Sequence, residues 1–279
     1  MYDLGPRADC HCHTTFSDGS LSVTALLDLA KERGLYGLSI TDHDTIEAYE
    51  TALDYAKRLE IKLISGIEIS TEHRRTPIHV LGYAFDLKNQ DLQDFCKRLQ
   101  QDRANRNQEI LARLTKMKMP ITLEEIKTIF PLSTIGRPHI AHLMVTKGYV
   151  KTLKQAFDRF LGDKKRAYVA GFQVAVEVAI ELIQRAGGIA VLAHPSYIQP
   201  ARILPELLAM PFDGIEAYYG QLTLKQVAPW LEIAKKKNWL VTGGSDFHGQ
   251  KKAYQSLGCA FTPEENFKLL EKRFHAVNN

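Results

Sequence analysis

Ala8-Asp9-Cys10-His11-Cys12-His13 is the stretch from which the rest of this chain is read. It has the length and apolar character of a buried strand. Strand side chains alternate between two faces, so Asp9, His11 and His13 share one face while Cys10 and Cys12 take the other. Two imidazoles on one face, two residues apart, can hold a single metal ion. Grouping Cys10-His11-Cys12-His13 as one zinc site would need both faces of the strand at once. The turn that follows, Ser17-Asp18-Gly19, adds a carboxylate near the strand end.

The signature recurs. Short apolar runs lie at 8–13, 37–41, 62–69, 79–85, 188–194, 214–218 and 240–243, and several end in potential ligands. These ends read Asp42-His43-Asp44, Ile67-Glu68, Ala193-His194-Pro195 and Ser245-Asp246-Phe247-His248. Helical patterns at 21–33, 46–59, 174–186 and 224–236 separate most of the runs. The first carries Leu26, Leu27, Leu29 and Ala30 on one side. Alternation of this kind predicts a parallel α/β sheet with right-handed crossovers, and seven strands suffice for a barrel. In a barrel the strand ends line one mouth, so these histidines and carboxylates would point at one place. Imidazoles and like charges crowded together need a cation among them. His79 stands apart, because it opens a strand and the strand-end argument does not reach it.

After Phe85 the pattern turns helical, with candidates at 91–117, 123–130, 138–147 and 153–160 punctuated by Pro120, Pro131 and Gly148. We therefore expect a barrel from residues 1–96 and 169–279, interrupted by an all-helical insertion at 97–168 that forms a substrate lid. The net charge of the 279-residue chain is +4, but residues 97–166 hold 16 Lys or Arg against 6 Asp or Glu. So basic a block implies an anionic ligand. Four cysteines are too few for a disulfide scaffold in a chain of this length. No apolar run approaches a membrane span, and the first residues lack a signal-peptide core, so the expected compartment is the cytoplasm. Neither a Gly-x-Ser-x-Gly elbow nor a P-loop occurs.

His11-x-His13, Ser17-Asp18-Gly19, Thr41-Asp42-His43-Asp44, Gly66-Ile67-Glu68, His79, Ala193-His194-Pro195 and Ser245-Asp246-Phe247-His248 together resemble the polymerase and histidinol phosphatase (PHP) family in content and order. Gly136-Arg137-Pro138-His139 and Phe157-Asp158-Arg159-Phe160-Leu161-Gly162 narrow the resemblance to its stand-alone nucleotide phosphoesterases with a helical insertion. The resemblance implies a distorted (β/α)7 barrel holding two to three divalent ions. By position, His11, His13, Glu68 and Asp246 would hold the first ion. Glu68, His79 and His194 would hold the second, with Glu68 bridging, and Asp18, His43 and His248 the third. Many relatives have histidine where this chain has Asp18. A carboxylate is a harder ligand, which favours manganese or magnesium over zinc at that position; manganese is the expected metal, with zinc, iron and magnesium also compatible.

The chemistry implied is phosphoester hydrolysis by a metal-activated hydroxide, with His43 and His248 the candidates to protonate the leaving oxygen or orient the phosphate. Arg103, Arg106 and Asn107 lie at helical spacing and Arg137 follows Gly136. With His43, they are the expected substrate-binding groups, the arginines gripping a phosphate that is not hydrolysed. The expected substrate is a nucleoside 3′,5′-bisphosphate, such as adenosine 3′,5′-bisphosphate, losing its 3′-phosphate. Alternatives are a 5′-to-3′ exoribonuclease acting on short RNA ends, a histidinol-phosphate-type phosphatase, and a nucleic-acid-binding module with a vestigial metal site. Nine intact candidate ligands argue against the last, and the basic insertion argues against a cationic substrate with one phosphate. No membrane and no obligate protein partner is expected.

Overall fold

The structure, a computed structural model, describes residues 7–131, 135–171, 174–249 and 255–278. Strands β1 (Ala8–Cys12), β2 (Gly37–Ile40) and β3 (Lys62–Ile64) form a parallel sheet. Helices α1 (Val23–Glu32) and α2 (Tyr49–Arg58) make the crossovers. The α1 helix starts where the Ser22 hydroxyl accepts the Ala25 amide, and it buries Val23, Leu26, Leu27 and Ala30. That is the stripe its apolar spacing dictates.

The second sheet runs β4 (Gly66–His73), β5 (Thr76–Tyr83), β6 (Ile189–Leu192), β7 (Gly214–Tyr219) and β8 (Leu240–Gly244) in that order. The last three strands are parallel, but β5 is antiparallel to both of its neighbours. This corrects the expected set of seven parallel strands in two respects. The run 62–69 is two strands, because the chain leaves the first sheet at Ser65 and enters the second at Gly66. There the backbone passes so close to β2 that an added Cβ would lie 2.1 Å from Ser39 Oγ. Next, β4 and β5 form a hairpin turning on Arg74 and Arg75, both left-handed with φ of 50° and 63°. Such turns usually carry Asn-Gly, and two arginines give no hairpin signal.

The sheets meet twice. Cys12 bridges Phe247 and His43 bridges Glu68, with His13 N donating to Phe247 O at 2.9 Å and Asp44 N to Glu68 O at 3.1 Å. At Gly244 an added Cβ would fall 2.3 Å from the His11 Cβ, so only glycine lets β8 lie this close to β1. These joints gather the ends of β1, β2, β6, β7 and β8.

Helix α3 (Gln90–Lys116) belongs to two cores. Its first half inserts Leu92, Phe95 and Leu99 among Ile67, Ile69, Ile180 and Ile183, the last two from α7 (Val176–Arg185). Its second half packs Ile110 and Leu114 against α4 (Leu123–Ile129), α5 (Arg137–Thr146) and α6 (Leu153–Ala156), in a separate cluster with Ile126, Ile140, Met144 and Leu161. The motif at 157–162 continues α6 as one wide turn, Phe157–Leu161, that tucks Phe160 and Leu161 into this cluster. Among the described residues no strand lies between β5 and α7. Helices α8 (Leu204–Ala209), α9 (Leu224–Lys237) and α10 (Glu264–Asn278) complete the chain. No helix of the described residues is long and apolar enough to cross a membrane.

Candidate metal centre

Glu68, in β4, stands at the centre of the gathered strand ends and is 1% exposed. Its Oε2 lies 3.3 Å from His11 Nε2, 3.3 Å from His13 Nε2 and 3.2 Å from His43 Nδ1. Its Oε1 lies 2.7 Å from His79 Nδ1 and 3.1 Å from His194 Nε2. Asp246 Oδ1 approaches His13 Nε2 at 3.2 Å and His11 Nε2 at 3.5 Å. Asp18 Oδ1 sits 3.1 Å from His248 Nε2 and about 4 Å from His13 and His43. All nine candidate ligands named from the sequence thus meet in one pocket.

His79 joins them because β5 is antiparallel. A reversed strand presents its early residues where parallel neighbours present their last ones, so a histidine near its start reaches the same pocket. His73 and His275 lie outside, paired with Glu206 at 2.8 Å and Glu271 at 3.9 Å. His139 Nδ1 accepts the Gly136 amide at 3.0 Å, and His142 lies edge-on to Phe130. Cys10 and Cys12 point away into apolar clusters, as strand alternation requires.

Two imidazoles are locked for coordination. His11 Nδ1 donates to Glu216 Oε1 at 2.8 Å, and His248 Nδ1 donates to the Asp246 carbonyl at 2.8 Å. In each ring this fixes the tautomer with the Nε2 lone pair turned into the pocket, the arrangement in which histidine binds a metal. Glu216 also accepts the His194 amide at 2.8 Å, so one buried carboxylate sets two ligands. The sequence reading passed over it; its signal was a lone acid inside the apolar run Gly214-Ile215-Glu216-Ala217. Asp9 and Asp42 are buried but serve backbone amides and hydroxyls of the loops around the pocket. Asp9 accepts the amides of His11, Ser245 and Gly258, and Asp42 accepts Thr14 and Ser17. Tyr219 donates to Asp246 Oδ2 at 2.6 Å. His194 and Asp246 hold left-handed backbone, with φ of 27° and 52°. Such conformations persist only where the surroundings over-determine them.

The carboxylates and imidazoles of the pocket shift one another, while burial and Glu68 push His11 and His43 in opposite directions. Burial pushes the Glu68 carboxyl up, but the imidazoles of His79, His43 and His11 outweigh it and hold the group well below the usual carboxylate range. Burial drives His43 down to about 3 despite Glu68 and Asp18, so its ring is neutral and its nitrogens are available as ligands. His11 Nε2, His13 Nε2 and His43 Nδ1 are buried without a hydrogen-bond partner among the described residues. Donor atoms of His11, His13 and Asp246 lie close enough together to share an ion. The same holds for His43, Glu68 and His79, and for His13, Asp18, His43 and His248. The residues fit a multi-metal site, although His13 and His43 stand in more than one group.

The basic residues are placed less simply. Arg103 is tied down: its Nη2 pairs with the buried carboxylate of Asp44, next to His43. Asn107 is buried: its amide donates to Ile135 O at 2.6 Å, and its Oδ1 accepts Arg106 Nη2 at 3.3 Å. Arg137 lies over the Tyr168 ring at 5.6 Å and reaches Leu161 O at 3.3 Å. Burial, then Arg103 and Arg137, pull Arg106 down to about 9. Its Nε is buried and unpaired among the described residues. Arginine keeps its proton at neutral pH, so neighbouring guanidinium groups offer donors that could hold an anion.

The sequence profile of the PHP domain matches residues 9–181, well over half of the chain. The chain belongs to the PHP domain family. A 5′-3′ exoribonuclease of Haemophilus influenzae is 35% identical over 87% of this chain and 90% of its own length. A 3′,5′-nucleoside bisphosphate phosphatase of Chromobacterium violaceum is 29% identical over 90% of each. A solved structure from Bifidobacterium adolescentis, described as a metal-dependent phosphoesterase, superposes with a TM-score of 0.86 at 29% identity, covering 96% of both chains. This PHP protein is a metal-dependent phosphoesterase, a hydrolase with several His, Asp and Glu groups able to bind its metals. After incubation with manganese and desalting, it should retain between two and three equivalents of metal by elemental analysis. Less than one equivalent, with no activity restored by added manganese, would contradict the reading of nine converging ligands.

Proposed function

We propose that this PHP protein removes the 3′-phosphate from nucleoside 3′,5′-bisphosphates, such as adenosine 3′,5′-bisphosphate, leaving a 5′-nucleotide. The observation that carries this reading is the guanidinium cluster beside the ligand pocket. Arg103 is pinned to Asp44 one residue from His43, and Arg106 and Arg137 lie near enough for the three charges to act on one another. A phosphate held there leaves a second phosphate of the same ribose within reach of the ligands. In this reading His11, His13, Glu68 and Asp246 hold one ion, Glu68, His79 and His194 another, and Asp18, His43 and His248 a third. Divalent ions, manganese above all, supply an acidified water and positive charge for the phosphoryl oxygens when bound. His43 or His248 protonates the departing O3′, while Arg106 and Arg137 orient the substrate. The helical segment 97–168 acts as the lid that carries these arginines. The two sheets form one distorted barrel, a reading supported by the Cys12–Phe247 and His43–Glu68 bridges.

The test compares substrates. Remote binding energy positions the reacting group, so a nucleoside 3′-monophosphate lacking the handle should be turned over more slowly as well as bound more weakly. A charge-assisted contact is worth ~1.5–3 kcal/mol, so kcat/KM should fall about ten- to a hundredfold. Arg106→Ala and Arg137→Ala should show that loss on the bisphosphate and little on the monophosphate. Equal turnover of both substrates by the wild type would sink the proposal. The 35% identity to an exoribonuclease supports a second reading, in which the phosphate attacked joins two nucleotides. Both readings use one 5′-phosphate handle and one scissile P–O3′ bond. A phosphate-release and product screen of bisphosphates and 5′-phosphorylated short RNAs, using metal-stripped protein reloaded with manganese, ranks them.

A further inference from the structure

Across the ligand set from the arginines lies an aromatic pair whose outer ring, Tyr197, neither metal binding nor the phosphate handle uses. The arginine side rests on the end of β2 and on β4, through Asp44 and Ser70. Counting strands around the pocket, from β2 through β1 and β8 or from β4 through β5 and β6, the far position is β7. There the ring of Tyr219 packs on His194 and His11, with centroids at 5.3 Å and 6.2 Å. The ring of Tyr197 continues the series outward at 5.1 Å from Tyr219. Tyr197 is 61% exposed, the only aromatic among the exposed large apolar side chains of the described residues.

The exposed ring is held, not loose. Tyr197 N donates to His194 O at 3.0 Å, closing a turn directly after a ligand, and Trp230 Nε1 donates to Ser196 Oγ at 2.7 Å. Tyr219 is fixed from below by its hydrogen bond to Asp246. An exposed aromatic ring on a turn held in this way can stack a flat ring, and every nucleobase has one.

We infer that Tyr197, seated on Tyr219, stacks the base of the nucleotide that follows the scissile phosphate, so that the pocket takes a short 5′-phosphorylated RNA end. This rests on the reading above, in which a 5′-phosphate is held by the arginines. With that phosphate on one side and the scissile one at the ligands, the chain leaves on the far side, toward β7. Water oxygen bonds to phosphorus and the P–O3′ bond breaks. O3′ departs with a proton as the hydroxyl of the first nucleotide. The phosphate stays on O5′ of the next nucleotide, which then carries the handle for another round. A bisphosphate has no downstream base and gains nothing from the platform.

The experiment measures kcat/KM of the manganese-loaded wild type, Tyr197→Ala and Tyr197→Phe on a 5′-phosphorylated dinucleotide and on a nucleoside 3′,5′-bisphosphate. Tyr197→Ala should lose about tenfold more on the dinucleotide than on the bisphosphate, equivalent to ~1.4 kcal/mol, and Tyr197→Phe should restore the difference. Equal losses on both substrates would make Tyr197 a structural support for Tyr219 and overturn the inference, as would an unchanged dinucleotide rate. A wild type that turns over the bisphosphate but not the dinucleotide would overturn the platform alone. A wild type inactive on both would overturn the underlying reading with it.

Discussion

Replacing Glu68 with glutamine should lower kcat/KM by about a thousandfold or more under saturating manganese, while Asp18→Asn should cost only about ten- to a hundredfold. The difference follows from what each carboxylate touches. Glu68 lies within 3.3 Å of five imidazoles, three on one oxygen and two on the other, whereas of the imidazoles described around Asp18 that of His248 lies within 3.3 Å. Glutamine keeps the shape but replaces one oxygen with an NH2 that cannot ligate and removes the charge that offsets the cations. A deficit of that size is ~4 kcal/mol of transition-state stabilisation, more than one lost hydrogen bond explains. Steady-state kinetics on the preferred substrate, with circular dichroism to show an intact fold, checks it. Equal losses in the two variants, or near-normal turnover in both, would remove Glu68 from the bridging position.

What could be read from the sequence depended on whether the information was local. Helix spans follow from apolar spacing, and α3 covers 90–116 against an expected 91–117. Ligands at the ends of parallel strands were legible because one rule aims them all. His79 was legible only by resemblance, since the antiparallel turn of its strand rests on Arg74 and Arg75, which carry no turn chemistry. The split at Ser65 was hidden for a related reason: a largely apolar run looks the same whether it serves one sheet or two, and Ser65-Gly66 alone marks the joint. Glu216 and Tyr219 were missed because a strand shows which face a residue takes but not which neighbour it meets 205 positions away, as Glu216 meets His11. The Arg103 partner is also non-local, 59 positions distant.

That partner gives the second large effect. Asp44→Ala should destabilise the metal-loaded protein by about 3 kcal/mol, lowering Tm by roughly 5–10 °C at fixed manganese concentration. Asp44 is 2% exposed and its two oxygens do different work. Oδ2 pairs with Arg103 of α3, and Oδ1 accepts the Ser70 amide of β4 at 2.7 Å. Removing the carboxylate leaves a largely buried guanidinium uncompensated and a backbone amide unsatisfied, and the first is the larger cost. The loss stands at the lower end of the range for buried pairs because the Arg103 side chain keeps 18% of its exposure. Alanine also fits poorly at φ 58°, which asparagine tolerates, so Asp44→Asn isolates the charge from the backbone. It should retain the Ser70 hydrogen bond and recover about 1 kcal/mol relative to alanine. Because Arg103 sets the arginine cluster beside His43, both variants should also lose turnover on the bisphosphate. The double variant Asp44→Asn with Arg103→Met should regain stability without regaining turnover, since it removes the stranded charge but not the need for a seated α3. Recovery of both would show that the pair serves the fold alone, and an unchanged Tm in Asp44→Ala would show that it does not serve the fold.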